Sequence, residues 1–555
     1  MTSAASTVFE TFARAARTHA TRPWLCVTRD TAAAYGISAG DITYARALED
    51  VLRLRTLYDE AGYGPGHRVG LLLENRPAFL LHWFALNALG VSIVPLNPDL
   101  RITEFSYVIP HSELVAIVAV PSRQSALRQA VGDRNVPISA PDAPPAPVTP
   151  GGPAREEAAL LYTSGTTGQP KGCVLPNGYF LQAGQWYAGL GGLGAMHTAQ
   201  ERMLTPLPLF HMNALAYSAM AMLETGGCLI PLDRFHPRGW WATVRESRAT
   251  VIHYLGVIPP ILMADPPGSA DHDHAVRFGF GAGVDGKLHA PFEQRFGFPL
   301  IEAWAMTETG AGAVIAAHEE PRHIGTCCFG RPAPEIECRL VREDGSDIVR
   351  EDGSDIVRED GSDIVREDGS DIIREAGSEP GELLVRHAGP DPRLGFFREY
   401  LKDPLATAEA WKDGWFHTGD VVRRGPDGSL HFVDRRKNVI RRSGENIAAV
   451  EVESALRQHP AVAGVAVAPI ANPVRGEEVF ACIVTHAEPN QALAHEIASW
   501  CVDRLAYYKA PGFIAFVPEL PLTSTQKIQR GELKRLVASL AGTAYDTRSL
   551  KRRQP

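Results

Sequence analysis

The run Tyr162-Thr163-Ser164-Gly165-Thr166-Thr167-Gly168-Gln169-Pro170-Lys171-Gly172 sets three glycines and four Ser/Thr hydroxyls in one turn. Glycine lets the backbone take positive φ, so successive N–H groups can point into one concavity. The hydroxyls add donors, and Lys171 adds a mobile positive charge. This is chemistry suited to holding phosphate. The Gly-x-x-x-x-Gly-Lys-Ser/Thr spacing of the Walker loop is absent. A short apolar run, Ala158 to Leu161, precedes the turn and reads as the end of a strand.

The loop resembles the signature of the adenylate-forming enzymes: acyl-CoA synthetases, peptide-synthetase adenylation domains and beetle luciferases. Four later motifs follow in the family's order along nearly the whole chain. The resemblance implies activation of a carboxylate. A carboxylate repels a thiol and has no usable leaving group, whereas an acyl-adenylate can release AMP. It implies that Thr163, Ser164, Gly165, Thr166, Thr167, Gly168 and Lys171 hold the β- and γ-phosphates of ATP. It implies that Glu308, in Trp304-Ala305-Met306-Thr307-Glu308-Thr309-Gly310, ligates Mg2+ and that Thr307 contacts the α-phosphate. One carboxylate with phosphate oxygens and water is an ordinary magnesium shell. Gly281-Ala282-Gly283 and Ala303-Trp304-Ala305-Met306 match segments that place the nucleotide, with Trp304 where an aromatic stacks on adenine. Asp420, in Thr418-Gly419-Asp420, resembles the ribose ligand, and Arg435 an arginine near the hinge that also reaches the ribose. Lys527, in Thr523-Ser524-Thr525-Gln526-Lys527-Ile528, matches the catalytic lysine that bridges the carboxylate and the α-phosphate. A charge placed where negative charge develops is worth several kcal/mol. His211, after Pro208-Leu209-Phe210, matches an aromatic or histidine near the carboxylate. It either shapes the acyl site or is a core histidine satisfied by a carbonyl.

The family makes room for the thiol by rotating its C-terminal domain about a hinge, whose position is Lys437 here. Rotation presents Arg441-Arg442-Ser443-Gly444-Glu445-Asn446, where Gly444, next to Glu445, admits a pantetheine arm. Arg475 and Lys509 are candidate contacts for CoA phosphates. Luciferases have a lysine where this chain has Arg441, so light-producing oxidation is disfavoured. Met212-Asn213-Ala214 lacks the acid that holds an amino-acid ammonium. Ala305 stands where acetyl-specific members place a bulky plug and many longer-chain members place glycine, which implies an acid larger than acetate. The Arg441 to Asn446 motif is most similar to that of the carnitine and crotonobetaine CoA ligases. The implied activity is an acyl-CoA ligase using ATP, Mg2+ and CoA. Two alternatives stay open: loading of an acyl carrier protein, and a non-catalytic nucleotide-binding scaffold.

Elements that position these residues follow the chain. A helix over Val8 to Arg17 is followed by a strand at Ile42 to Tyr44 and a helix over Ala45 to Ala61. A strand at Val69 to Leu73, a helix from Ala78 to Leu89 capped by Gly90, and a strand at Val91 to Leu96 continue the alternation. That rhythm predicts a parallel sheet covered by helices. Pro137 to Pro153 reads as a connector, Tyr179 to Leu190 as a helix, and the glycine-rich Phe278 to Gly283 as a segment after a strand. The octapeptide Arg-Glu-Asp-Gly-Ser-Asp-Ile-Val starts at 342, 350 and 358 and recurs, altered, at 366. Its two apolar residues per unit are too few for a core, so residues 342–373 read as an expanded hairpin or a partly disordered loop. Lengthening such a loop costs little. Its acids match no calcium-loop spacing. The fold class predicted is α/β and acetyl-CoA synthetase-like: a large domain of layered sheets and helices over 1–434, a smaller mobile α+β domain over 435–545, and a frayed basic tail over 546–555.

The 555 residues are 45% hydrophobic and 21% charged, with a net charge of -9. That balance suits a soluble protein and argues against a nucleic-acid surface. Eight cysteines show no Cys-x-x-Cys pairing, and Cys327-Cys328 suits neither zinc nor an easy disulfide. Reduced thiols in a cytoplasmic compartment are the expectation. No run reads as a signal peptide or reaches bilayer length.

Overall fold

The computed structural model describes residues 6–143, 145–153, 156–163, 169–342, 344–348, 379–435, 439–521 and 528–553. Ser164 to Gly168, Lys437, Lys527 and the octapeptide array from residue 349 to 378 lie outside the described residues.

The first sheet runs, edge to edge, through Glu399–Tyr400, Lys171–Pro176, Glu157–Thr163, Ser92–Pro95, Arg68–Leu72, Ala116–Ala119 and Ile138–Ser139. Its inner strands are parallel, and Lys171–Pro176 returns antiparallel on Glu157–Thr163. The strand Arg68–Leu72 is buried at every position, as expected where helices cover both faces. The second sheet centres on the parallel strands Arg202–Thr205, Val251–Leu255, Phe278–Ala282 and Leu300–Trp304. Phe278 to Gly283 is therefore not a segment after a strand: its first five residues are the strand. The glycines belong there because a Cβ on Gly281 would lie 2.2 Å from the Tyr254 carbonyl oxygen.

Helices fill the space between these sheets. Val8–Thr18 is capped by the Thr7 side chain, which accepts from the Glu10 amide, and it buries Val8, Phe12 and Ala16. Pro77–Asn87 begins at its proline, where a missing N–H costs nothing. It ends at Asn87, three residues before Gly90, and is buried along nearly its whole surface. Phe12 stacks on Phe84 at 4.4 Å between ring centroids, and one apolar core joins both sheets.

A third, antiparallel sheet carries Ile336–Val341, Gly381–His387, Trp415–Arg424 and Leu430–Arg435. Ile336–Val341 pairs directly with Gly381–His387, so the octapeptide array joins two hairpin strands. A smaller lobe follows, built on Val439–Arg442, Glu445–Ala448, Val462–Asn472, Gly476–Thr485 and Phe513–Phe516. Its own core runs from Ile440 to Ile514, with the helices Ala449–Arg457 and Gln491–Arg504 against the sheet. The basic tail is not frayed through Arg553. Lys551 is buried and pairs with Glu478, and Arg553 Nε lies 2.7 Å from Asp99 Oδ1 of the large lobe. Among the described residues, no helix is long and apolar enough to cross a membrane.

Candidate active site

The antiparallel return after the glycine-rich turn puts Thr163 opposite Lys171, so the turn is a hairpin link at the end of a buried strand. Glu399–Tyr400 pairs with the returning strand, Tyr400 opposite Cys173. This registry brings Tyr400 under Lys171, whose Nζ lies 4.9 Å from the ring centroid. The Tyr400 hydroxyl donates to Glu308 Oε1 at 2.9 Å, and the Phe397 amide donates to the Glu308 carbonyl at 2.9 Å. Burial, then the Glu308 charge, push the Tyr400 hydroxyl far above its ordinary range, so it remains a donor. Thr307 is fixed by Tyr179, whose hydroxyl donates to the Thr307 carbonyl at 2.9 Å.

Thr163, Lys171, Thr307, Glu308 and Tyr400 share the wall of a cavity of about 360 Å³. No cluster of three or more His, Cys, Asp or Glu side chains forms a ready-made metal site among the described residues. Glu308, held by one oxygen on a cavity wall, fits Mg2+, which binds through one or two carboxylates and completes its shell with water and phosphate.

Gly281, Ala282, Ala303, Ala305 and Met306 line the same cavity. Gly283 lies beyond its lining, and its amide donates to Glu302 Oε2 at 2.8 Å. Trp304 is turned away from the lining. Its buried indole packs on Phe329 and donates to Asp420 Oδ2 at 2.9 Å. The ring face expected on adenine is thus engaged elsewhere in this arrangement. Asp420 is fully buried and sits opposite Arg435 in the strand ladder, so the two expected ribose ligands share one register position.

His211 is not a core histidine: its side chain is 40% exposed, and Nε2 lies 3.5 Å from Glu445 Oε1 of the small lobe. Burial would raise the Glu445 carboxyl, but His211 and Lys509 hold it below the usual carboxylate range. Arg441, Gly444, Glu445, Asn446, Tyr508 and Lys509 close the cavity from the small lobe. Ser443 and Gly444 both take positive φ, 52° and 90°, and make the tight turn between Val439–Arg442 and Glu445–Ala448. A Cβ on Gly444 would lie 2.2 Å from Leu255 Cδ1, so glycine is what lets the turn touch the large lobe. Arg475 is exposed outside the cavity lining, with Nη1 3.3 Å from Ser443 Oγ.

Lys509 is not a solvated lysine waiting for a CoA phosphate. It is buried, with Nζ 2.6 Å from Glu104 Oε1 of the large lobe and 2.7 Å from Glu451 Oε1 of its own. Burial would lower its pKa, but the two carboxylates raise it above the ordinary lysine value. Asn97 Nδ2 donates to the Tyr508 hydroxyl at 3.0 Å beside this clamp. Tyr400 and Glu104 were not singled out from sequence as contributors to the site. A lone tyrosine or glutamate far along the chain carries no local signal of its partner.

A layered α/β lobe with a phosphate-suited hairpin, a carboxylate on the cavity wall and a small lobe closing the cavity has the architecture of an adenylate-forming ligase. The chain belongs to the AMP-binding enzyme family, whose model matches residues 13–361, and the model of the AMP-binding enzyme C-terminal domain matches residues 451–527. It is an AMP-forming acyl-CoA synthetase, working through an acyl-adenylate with ATP and CoA. It is 28% identical over 516 residues to a crotonobetaine/carnitine–CoA ligase of Salmonella paratyphi B, covering 89% of this chain and 93% of that relative. In fold it resembles the o-succinylbenzoate CoA synthetase of Bacillus subtilis, with a TM-score of 0.77 at 23% identity over 95% of this chain and 98% of that one. It also resembles a malonyl-CoA ligase bound to methylmalonyl-CoA and AMP, with a TM-score of 0.69 at 26% identity over 90% and 97% of the two chains.

Proposed function

We propose that this ligase activates a carboxylic acid larger than acetate and passes it to CoA by moving its small lobe between two orientations. In the first step a carboxylate oxygen attacks the α-phosphorus of ATP, and pyrophosphate leaves. In the second the thiol sulfur attacks the acyl carbon, and AMP leaves.

The hairpin from Thr163 to Lys171 holds the phosphates, Glu308 holds Mg2+ and Asp420 with Arg435 holds the ribose. Mg2+ neutralises phosphate charge when bound. Lys527 serves the first step, and the Gly444–Glu445 turn serves the second after rotation about Lys437, with the lobe boundary at 434/435. The observation that carries this reading is the small-lobe turn at the cavity wall, Glu445 3.5 Å from His211 in a cavity shared with Lys171 and Glu308. That orientation suits thiol transfer. Room for more than acetate is supported by Ala303 and Ala305, two small side chains on the cavity wall. All eight cysteines are free, which supports a reducing, cytoplasmic compartment.

The test is a screen of acids by AMP formation, from acetate to long aliphatic and aryl acids, with free CoA set against a holo carrier protein. Larger acids with free CoA should be the productive combination. A preference for acetate would refute the size assignment, and a preference for the carrier would refute the acceptor.

A further inference from the structure

The helix Ile102–His111 reaches from the small lobe to the phosphate hairpin. Its 10 residues, at a rise of about 1.5 Å each, make a strut of about 15 Å. The first turn meets the small lobe: Thr103 Oγ1 donates to the Arg504 carbonyl at 2.5 Å, and Glu104 takes Lys509. The last turn meets both ends of the hairpin. The Tyr107 hydroxyl donates to the carbonyl of Pro170, one residue before Lys171, at 3.3 Å. His111 Nδ1 lies 2.7 Å from the hydroxyl of Tyr162, one residue before Thr163. The two grips form one unit. The Tyr107 and His111 rings stack at 5.1 Å between centroids, and the Tyr162 ring meets His111 edge-on at 5.8 Å.

Burial pushes the Tyr162 hydroxyl above its ordinary range, while burial, then Lys402 and Arg68, lower the His111 imidazole. A protonated phenol therefore faces a neutral imidazole near pH 7. Lys402 closes the arrangement. Its Nζ donates to the His111 carbonyl at 2.9 Å, a cation at a helix C-terminus, and the Leu401 amide donates to the Gly172 carbonyl at 2.8 Å. Strand pairing alone sets Thr163 against Lys171. The grips from the helix hold that pair against the cavity, whose wall includes Tyr162, Thr163, Pro170 and Lys171.

We infer that Tyr107 and His111 are positioning residues for adenylation: through the Pro170 carbonyl and the Tyr162 hydroxyl they fix Lys171 and Thr163 where the β- and γ-phosphates are held. The inference rests on the proposed reading of the hairpin as the holder of those phosphates. An acyl-adenylate keeps only the α-phosphate. A residue that acts through the hairpin therefore serves the exchange of ATP with pyrophosphate and not the attack of the thiol on the adenylate.

The test uses the full-length enzyme and Tyr107→Phe, His111→Phe and Tyr162→Phe, each of which keeps a ring and loses a polar atom. Acid-dependent pyrophosphate exchange should show the KM for ATP and for pyrophosphate raised about three- to tenfold in each, with the acid KM unchanged. Thioester formation from pre-made acyl-adenylate should hold. The double variant His111→Phe with Tyr162→Phe should cost no more than either single one, because the two share one bond. Thermal melting checks folding, and His111→Ala serves if the phenylalanine variant misfolds. Unchanged KM values, equal losses in both half-reactions, or an additive double variant would overturn the inference. Lys171→Ala separates the two readings: with its KM for ATP and pyrophosphate unchanged, the hairpin reading itself falls.

Discussion

Glu104→Gln is the sharpest perturbation of the contact between the lobes. Glu104 lies in the helix Ile102–His111 of the large lobe and meets Lys509 of the small lobe at 2.6 Å, both side chains buried. The substitution keeps the side chain's size and an oxygen for the Arg101 amide, which donates to Glu104 Oε2 at 2.8 Å. Lys509 keeps its bond to Glu451, so the small lobe retains its own pairing. What is lost is one charge-assisted hydrogen bond across the lobes, worth about 1.5–3 kcal/mol. If that bond exists only in the thiol-transfer orientation, the population of that orientation falls about ten- to a hundredfold. The assay measures the two half-reactions separately: acid-dependent pyrophosphate exchange, and acyl-CoA formed from pre-made acyl-adenylate and CoA. Exchange should hold while thioester formation falls. Equal losses in both, or an undiminished thioester step, would refute the reasoning that this clamp selects an orientation.

Two further perturbations follow from the same geometry. Tyr400→Phe keeps the ring under Lys171 but removes the donor to Glu308 Oε1; a Mn2+ titration of the ATP-bound enzyme should shift to weaker binding by about tenfold with the acid KM unchanged, and an unshifted titration would contradict the positioning role. His253 is fully buried between the Tyr187 hydroxyl and Ser218 Oγ, each 2.9 Å away, and burial pushes its pKa down to about 3. Between pH 6.5 and 3 the unfolded chain therefore takes up a proton that the folded chain refuses, and stability falls on acidification by about 1.4 kcal/mol per pH unit. Unfolding free energies from denaturant titrations between pH 6.5 and 5 should fall with a slope about one proton smaller in His253→Gln than in the unsubstituted chain, since other buried histidines such as His82 contribute to both; equal slopes would contradict it.

Much of the site was legible because the chemistry is local. The run Thr163 to Lys171 has residue types suited to phosphate, and Glu308 was assigned to metal through the motif resemblance around it. The alternation of buried strands with helices announced the layered lobe. The parts that were misread depend on distant partners. Lys509 looks like any surface lysine until Glu104, some four hundred positions earlier, is folded against it. The tail follows the same logic, since a basic end is ordinarily solvated and only the fold supplies Glu478 and Asp99. The glycine-rich run from Phe278 to Gly283 read as a segment after a strand, yet Gly279 and Gly281 sit within the strand itself, glycine being required at 281 because a Cβ would meet Tyr254. Trp304 matched a stacking position by motif, and its indole direction could come only from the fold, which packs Asp420 of another sheet beside it.

The central claim is that one cavity serves two chemical steps, the first needing Lys527 and the second not. The most direct measurement is the pair of half-reactions in Lys527→Ala. The account predicts that acid-dependent pyrophosphate exchange falls by about two orders of magnitude or more, while thioester formation from pre-made acyl-adenylate survives. Equal loss in the two half-reactions, or exchange that persists without the lysine, would contradict it.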